Sequence, residues 1–163
     1  MSTRQFFTEL CSTEYPRTLA VLQATPGERL DYKPHGVCRS AQELVGHLIG
    51  HEGDLLELVE TGHINHRNQI PFTTIEQAID YFRQTHAKLE AALSRLEEGR
   101  WEQVGKFNVG GNTLMEAPCH RLAWMMLLDG IHHRGQLSTY LRPMGGKVPA
   151  IYGPSADTMM TGV

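Results

Sequence analysis

Apolar residues recur every three or four positions in four separate stretches of the chain, and this pattern constrains the fold more than any other feature. The third stretch is the clearest: it opens on Thr73 with Glu76 three residues later, a capping box, and it ends at Gly99. Its apolar positions are Ile75, Ile79, Phe82, Leu89, Leu93 and Leu96. This spacing lines one face of an α-helix. Four such helices predict an all-α fold, a four-helix bundle.

The first two predicted helices differ in how clearly their ends are marked. The first covers residues 2–24 and contains Pro16, which is expected to kink or break it. The second opens at Ser40, which forms a capping box with Glu43, and Gly62 is its expected stop. The apolar positions of the second helix are Leu44, Leu48, Leu55 and Leu58. The stretch between the two helices concentrates proline and glycine and is therefore predicted to be a loop.

The segment before the fourth helix is too rich in glycine to be helical. A short strand or hairpin is expected near Val104–Val109. The fourth helix is expected to start between Thr113 and Pro118, because Thr113 and Glu116 offer a third capping box that Pro118 interrupts. It should then run to Leu141. The fold prediction is therefore a helical bundle with a short hairpin or loop before its last helix.

Length, charge and cysteine usage restrict the class of protein. The chain has 163 residues, which predicts one domain over residues 1–163, and 40% of the residues are apolar, enough for a core. The net charge is −3 with both signs interspersed, so nucleic acid is not an expected partner. No apolar run approaches the roughly 20 residues of a membrane helix. The N-terminus has no signal-peptide pattern. The odd number of widely spaced cysteines favours the cytoplasm: Cys11, Cys38 and Cys119.

Two polar residues interrupt the apolar face of the fourth helix. Asp129 and His133 lie between Met126 and Leu137, and their spacing of four places both side chains on one side, one turn apart. A buried carboxylate without a partner costs free energy. A divalent metal would compensate, because imidazole and carboxylate both bind zinc, nickel and iron. His47, on the stripe of the second helix, offers a third ligand. Two histidines and one carboxylate leave coordination positions open for water or substrate.

Each of these residues also has an ordinary structural interpretation. His47 can be a core histidine held by one hydrogen bond, and the aspartate–histidine pair of the fourth helix can be a buried hydrogen bond. His51, one turn after His47, is the main rival as the third ligand. His132 faces partly away from the stripe and is either a surface residue or a partner of the ligands. Gln136 lies near the face of the site and can orient a ligand or a bound water.

Two motifs resemble a known family. The segment HHRGQLSTYLR, with the upstream Asp129 and the tail GGKVPAIYGPSAD, looks like the DinB/YfiT-like family, whose members are regarded as metal-dependent enzymes. The segment SAQELVGHLIGHE resembles that family's metal-binding helix, so the resemblance covers nearly the whole chain. It implies an up-down-down-up four-helix bundle, often dimeric, with nickel or zinc held by one histidine of the second helix and two residues of the fourth. In this sequence those are His47, Asp129 and His133.

One departure from the family pattern bears on the metal. Many members have histidine where this chain has Asp129, and a carboxylate shifts the metal preference towards iron or manganese. Nickel and zinc are nevertheless the expected ions. The resemblance also implies an oligomeric state. It points to a homodimer. The sequence supports this, because two adjacent aromatic pairs, Phe6 with Phe7 and Tyr81 with Phe82, extend the apolar surface of their helices beyond a single stripe.

The resemblance implies a small-molecule enzyme. Within the wider superfamily, some members are S-transferases that use bacillithiol or mycothiol, and some are mycothiol-dependent isomerases. We therefore expect a metal that activates a low-molecular-weight thiol, for thiol transfer, or else water, for hydrolysis. Arg134 and Arg142 either attract an anionic substrate or are solvated charges, and no catalytic side chain is assigned. The alternative is a non-catalytic metal-binding stress-response bundle that acts as a dimer, in which the protein itself fills the coordination sphere.

Overall fold

The computed structural model describes residues 1–159, and helices dominate this part of the chain. Over these residues it has four long helices and two short ones: α1 (Thr3–Gln23), α2 (Ala41–Thr61), α3 (Ile75–Arg95), α4 (Glu98–Glu102), α5 (Cys119–Leu141) and α6 (Ala156–Met159). Its strands are β1 (His63–His66), β2 (Val104–Val109) and β3 (Asn112–Pro118). A single 3-10 turn, Gly27–Arg29, lies in the loop after α1.

A three-stranded mixed sheet makes the predicted all-α four-helix bundle wrong as a fold class. The strand order is β1-β2-β3, with β1 parallel to β2 and β2 antiparallel to β3. The strand expected near Val104–Val109 is present as β2, and Gly110 and Gly111 supply the positive φ angles of 58° and 82° in its turn to β3. The four residues of β1 are too few to show an alternating pattern, and their partner strand is distant in sequence. Strand β1 and its pairing with β2 were therefore invisible to local pattern.

The start of the last long helix also differs from the prediction. Helix α5 begins at Cys119, with Pro118 before it in an extended conformation. Thr113 and Glu116, whose spacing suggested a capping box, instead lie in β3. A threonine followed three residues later by glutamate is thus not a sufficient signal for a helix when a glycine turn and a partner strand precede it. Proline before a helix is a better marker here, because its missing N–H removes a donor that the first turn cannot satisfy.

Helices α1 and α3 are shifted slightly from their expected bounds. Helix α1 continues through Pro16 and is not broken there. The capping box of α3 is one residue later than expected. The Thr74 side chain accepts a hydrogen bond from the backbone N–H of Gln77, and the Gln77 side chain accepts one from the backbone N–H of Thr74. The helix ends at Arg95, before the expected stop at Gly99. These shifts leave the buried face of α3 unchanged.

Helix α2 is central, because it packs against both α3 and α5, and α1 covers the same two helices from the other side. Buried apolar residues form two clusters, and each long helix contributes to both. On α5 one cluster ends at Leu127 and the other begins at Leu137. On α2 the corresponding limits are Leu55 and Ile49. The polar side chains between these limits therefore meet at a level where neither apolar cluster fills the space. None of the helices within residues 1–159 is long and apolar enough to cross a membrane.

Candidate metal centre

Helices α2 and α5 bring four potential ligands together between the two apolar clusters. Each offers one donor atom, and these atoms all lie within 4.8 Å of one another. We call this group the central cluster: His47, His51, Asp129 and His133. The three residues chosen from the sequence as ligands are thus close enough to share one ion, and His51, the rival, lies among them. Their spacing of four on each helix explains the meeting, because it stacks both pairs on facing sides.

The imidazoles of His47 and His133 face each other with their Nε2 atoms 3.0 Å apart. Nδ1 of His47 donates to the backbone carbonyl of Asn68 at 2.7 Å, and a carbonyl can only accept. Nδ1 of His133 donates to Oε1 of Gln136 at 2.8 Å. Both Nε2 atoms are then unprotonated, and two lone pairs converge on one point. Such an arrangement suits a cation between or beside the two rings, and the donors on Nδ1 are the outer contacts that metal-binding histidines usually make.

Burial keeps both of these histidines neutral. It lowers the pKa of His47 to about 4, against the opposing effect of the Asn68 carbonyl. It also lowers the pKa of His133, while the Gln136 side chain and the Asp129 charge act in the opposite direction. Neutral imidazole is the form that binds metals, so neither ring must lose a proton at neutral pH.

Asp129 is less buried than its position on the apolar stripe suggested. Its side chain is 42% exposed, with Oδ1 3.5 Å from Nε2 of His133 and Oδ2 3.3 Å from Nε2 of His51. The expectation of a carboxylate enclosed in the core is therefore wrong: Asp129 sits at the opening of the central cluster. The reason is that α5 is uncovered at this level, since Leu128 is also exposed.

His51 is the most anomalous member of the cluster. It is 3% exposed, and neither of its ring nitrogens has a hydrogen-bond partner among residues 1–159. Nε2 faces Asp129, and Nδ1 is 3.8 Å from Oδ2 of Asp54, one turn further along α2. Buried polar atoms are rarely left without a partner, so the His51 ring is an exception that needs an explanation.

A second group of donors adjoins the first through the same histidine. His51, Asp54 and His66 also lie within 4.8 Å of one another, and Nδ1 of His66 donates to Oδ2 of Asp54 at 2.6 Å. Three groups at this site were not predicted from the sequence: Asp54, His66 and the Asn68 carbonyl. A signal for Asp54 existed, because it continues the stripe of His47 and His51 at helical spacing. No such signal existed for His66, which reaches the site from β1.

The two remaining candidates, Gln136 and His132, lie outside the cluster. Gln136 is exposed on α5, where its amide accepts from His133 and donates to Nε2 of His132 at 2.9 Å. His132 is exposed and is not among the clustered donors, although its ring centroid is 5.1 Å from that of His133. Gln136 therefore links a surface histidine to a buried one and fixes the ring orientation of His133.

An apolar groove opens beside Asp129. It has a volume of about 540 Å³ and is lined by Phe107, Met125, Met126, Leu128, Asp129 and His132. Its walls come from α5 and from β2, the strand that the sequence predicted. A groove of this kind can hold the apolar part of a small molecule next to the carboxylate.

Arg142 is a surface charge, which is one of its two predicted interpretations, whereas Arg134 fits neither. Arg134 is 1% exposed, and its guanidinium binds Glu14 at 2.5 Å and the hydroxyl of Tyr152 at 2.6 Å. It is therefore neither a solvated charge nor directed at a substrate. Arg142 pairs with Asp157 of α6 at 3.0 Å on the surface.

Comparison with known proteins agrees with this architecture. The model of the DinB family matches residues 1–161. Among curated proteins, none matches the sequence significantly. A DinB-like protein from Bacillus subtilis has a similar structure, with a TM-score of 0.68, 18% identity, and coverage of 93% of this chain and 97% of that one. A DinB-like protein from Bacillus cereus has a TM-score of 0.73 and 18% identity, and the match covers 90% of this chain and 95% of that one. A mycothiol-dependent maleylpyruvate isomerase has a TM-score of 0.50 and 14% identity, and the match covers 90% of this chain and 62% of the isomerase.

Proposed function

Because the chain belongs to the DinB family, we propose that it is a metal-dependent enzyme acting on a small molecule, with His47, Asp129 and His133 as the ligands of a divalent ion. We call these three residues the ligand triad. The observation that carries the proposal is the convergence of two unprotonated Nε2 atoms, 3.0 Å apart, beside a carboxylate. Without a cation the two lone pairs repel each other, and burial disfavours the proton that would otherwise bridge them.

The donor set limits which ion fits. Two imidazole nitrogens and one carboxylate oxygen suit zinc or nickel, and the carboxylate also admits iron or manganese. Three protein ligands leave coordination positions free in any of these cases. Asp129 is partly exposed and lines the apolar groove, which supports free positions on that side. An open position facing a groove favours catalysis over the alternative of a closed, non-catalytic site.

For the reaction, we propose thiol-dependent group transfer. When bound, the metal supplies Lewis-acid chemistry, which lowers the pKa of a thiol or of water near it. The chain's own residues hold the reactants: the apolar groove takes the hydrophobic part of the acceptor, and Asp129 borders its inner end. The Asn68 carbonyl and the Gln136 amide fix the two rings. The likeness to a mycothiol-dependent isomerase supports a low-molecular-weight thiol as the co-substrate.

The experiment begins with metal analysis of protein purified without a metal-affinity column. The same protein is then mixed with bacillithiol or mycothiol and an apolar electrophile, and thiol consumption is followed. We expect turnover by the metal-loaded protein and its loss after chelation, with recovery on adding back the ion. The matched control is His63→Ala, because His63 is an exposed histidine of β1 outside the cluster. Equal thiol consumption with and without metal would contradict the proposal. Metal-dependent hydrolysis without thiol would overturn the thiol component alone.

We also propose that the protein is a homodimer. Phe6 is 51% exposed although its ring lies tilted against that of Trp124, and Leu128, one turn after Trp124 on α5, is 57% exposed. Apolar surface of this kind is commonly buried between identical subunits. Sedimentation equilibrium should therefore give about twice the monomer mass of 18.3 kDa, and Leu128→Lys should shift the equilibrium towards monomer. A mass near 18.3 kDa at every concentration would contradict the dimer.

A further inference from the structure

The polar residues between the two apolar clusters divide into two sets of the same composition. The ligand triad contains two imidazoles and one carboxylate. The residues beside it, His51, Asp54 and His66, also contain two imidazoles and one carboxylate, and their donor atoms lie within 4.8 Å of one another. These groups are not on the surface: Asp54 is 3% exposed, and His51 is equally buried. Burial of this kind requires compensation for each polar atom.

The protein provides that compensation only in part. His66 donates one hydrogen bond to Asp54, and this is the shortest contact in the set at 2.6 Å. His51 receives none: both nitrogens are enclosed and without a hydrogen-bond partner in the described part of the chain. Neutral histidine has one N–H and one lone pair. Its ring lies between two carboxylates, Asp129 on the Nε2 side and Asp54 on the Nδ1 side.

We propose that His51, Asp54 and His66, which we call the second triad, bind a second divalent cation next to the ligand triad. In this assignment His51 keeps its proton on Nε2, where the nearest oxygen of Asp129 is 3.3 Å away, and turns the lone pair of Nδ1 to the second ion. One imidazole then serves both centres without being a ligand of both. The assignment goes beyond the proposed function, because it adds a binding site that the family match and the ligand triad do not require.

The distances suit an ion with little rearrangement. Donors about 2.0–2.2 Å from a metal lie roughly 3–4 Å from one another. The gap from Nδ1 of His51 to Oδ2 of Asp54 is 3.8 Å, so these two need not move apart. The bond from His66 to Asp54 must open, and the His66 proton moves from Nδ1 to Nε2, which frees the Nδ1 lone pair with no net proton release. The His66 side chain is 11% exposed, and its ring contacts those of His47, His51 and Phe107.

A route from solvent leads to the second triad. Asp54 lines an open cleft of about 380 Å³ between α2, α3 and the segment after β1, and its walls include Glu57, Asn65 and Arg67. This cleft is separate from the apolar groove beside Asp129. An ion can therefore reach the second triad independently of the substrate side. The donor chemistry, two imidazoles and one carboxylate, selects zinc, cobalt, nickel or iron over magnesium or calcium.

The test is the stoichiometry of Co²⁺ or Zn²⁺ binding to metal-free full-length protein, measured by calorimetry and by elemental analysis after gel filtration. We expect two ions per wild-type chain and one ion per chain in both Asp54→Asn and His66→Ala. The side chain of His66 is less buried than that of Asp54, at 11% against 4% exposed, so His66→Ala serves as the second variant if Asp54→Asn does not fold. His63→Ala, at the other end of β1, is the matched control and should retain two ions.

The outcomes separate this inference from the proposed function. Loss of one ion in His66→Ala and of the other in His133→Ala supports both. One ion per wild-type chain, lost in His133→Ala and kept in His66→Ala, overturns the second site and leaves the proposed function standing. One ion lost in His66→Ala and kept in His133→Ala supports the second site and overturns the ligand triad. Two ions retained in His66→Ala and in Asp54→Asn would overturn the second site.

Discussion

Replacing His133 by alanine should abolish metal binding at the ligand triad and, with it, much of the stability that the metal confers. A ligand that binds only the folded state stabilises it by RT ln(1 + [M]/Kd), about 4 kcal/mol when free metal is a thousandfold above Kd. Because Nε2 of His133 is 3.0 Å from its counterpart in His47, its removal leaves one imidazole and a half-exposed carboxylate. Urea unfolding with and without chelator measures the difference in wild type and variant.

Neighbouring variants make this result specific. His47→Ala and Asp129→Ala should each lose the same ion, whereas His132→Ala should keep it, because His132 is exposed and outside the cluster. Gln136→Ala should keep the ion but bind it about 10–100-fold more weakly, since Gln136 orients the His133 ring. Full metal content in His47→Ala would show the triad to be wrong and would make His51 the ligand in its place.

Replacing Arg134 by methionine should destabilise the protein by about 3–5 kcal/mol, because it strands a buried carboxylate. The side chains of Arg134 and Glu14 are 2% and 6% exposed, and Tyr152 completes the network with bonds to both. The double variant Arg134→Met with Glu14→Leu should recover most of the loss, since no charge is then left unpaired. Arg142→Met, at the C-terminal end of the same helix, is the matched control: its exposed pair with Asp157 should contribute little to stability.

The same network predicts how stability changes with pH. Burial raises the pKa of Glu14, but the hydrogen bonds from Arg134 and Tyr152 and the charges of Arg134 and Arg17 outweigh it, so the pKa is lowered overall. A lowered carboxyl pKa contributes stability that is complete above the unfolded value, about 4.3, and is lost as pH falls through the folded value. Denaturant midpoints measured between pH 7 and pH 3 should fall in wild type and change less in the double variant. Equal pH profiles for the two proteins, with an unaffected Arg134→Met, would contradict a role for this pair.

The helices were predictable from the sequence because each carries its own information. The capping box at Ser40 and Glu43, and the stop at Gly62, lie within the element that they delimit. Strand β1 carries no such local information, since it has four residues and pairs with a strand that follows α4. The error at Thr113 has the same origin. Its spacing to Glu116 fits a helix start, but strand pairing with β2, a non-local interaction, decides the conformation.

The proximity of the four donors was predictable because helical spacing alone determines which side chains share a face. His47 and His51 on α2, and Asp129 and His133 on α5, follow from stripes that face each other. The exposure of Asp129 did not follow, because it depends on which neighbouring elements cover that part of α5. A gain in stability of the metal-free protein from Asp129→Leu, which a buried carboxylate would predict, is therefore not expected. The burial of Arg134 was also hidden, since its partners come from α1 and from the tail after α5.

The half-exposed carboxylate of Asp129 would also determine how quickly an ion held by the ligand triad exchanges. A centre sealed on all sides releases metal only when the fold opens, so its first occupant persists. At the ligand triad the partly exposed carboxylate would detach before the buried imidazoles, which would give competing chelators and ions a stepwise path. Selectivity for a borderline ion under such exchange reflects supply more than intrinsic affinity. We therefore expect the metal content of a preparation to follow the growth medium and the purification resin, and activity should be surveyed across several ions before one is named the physiological cofactor.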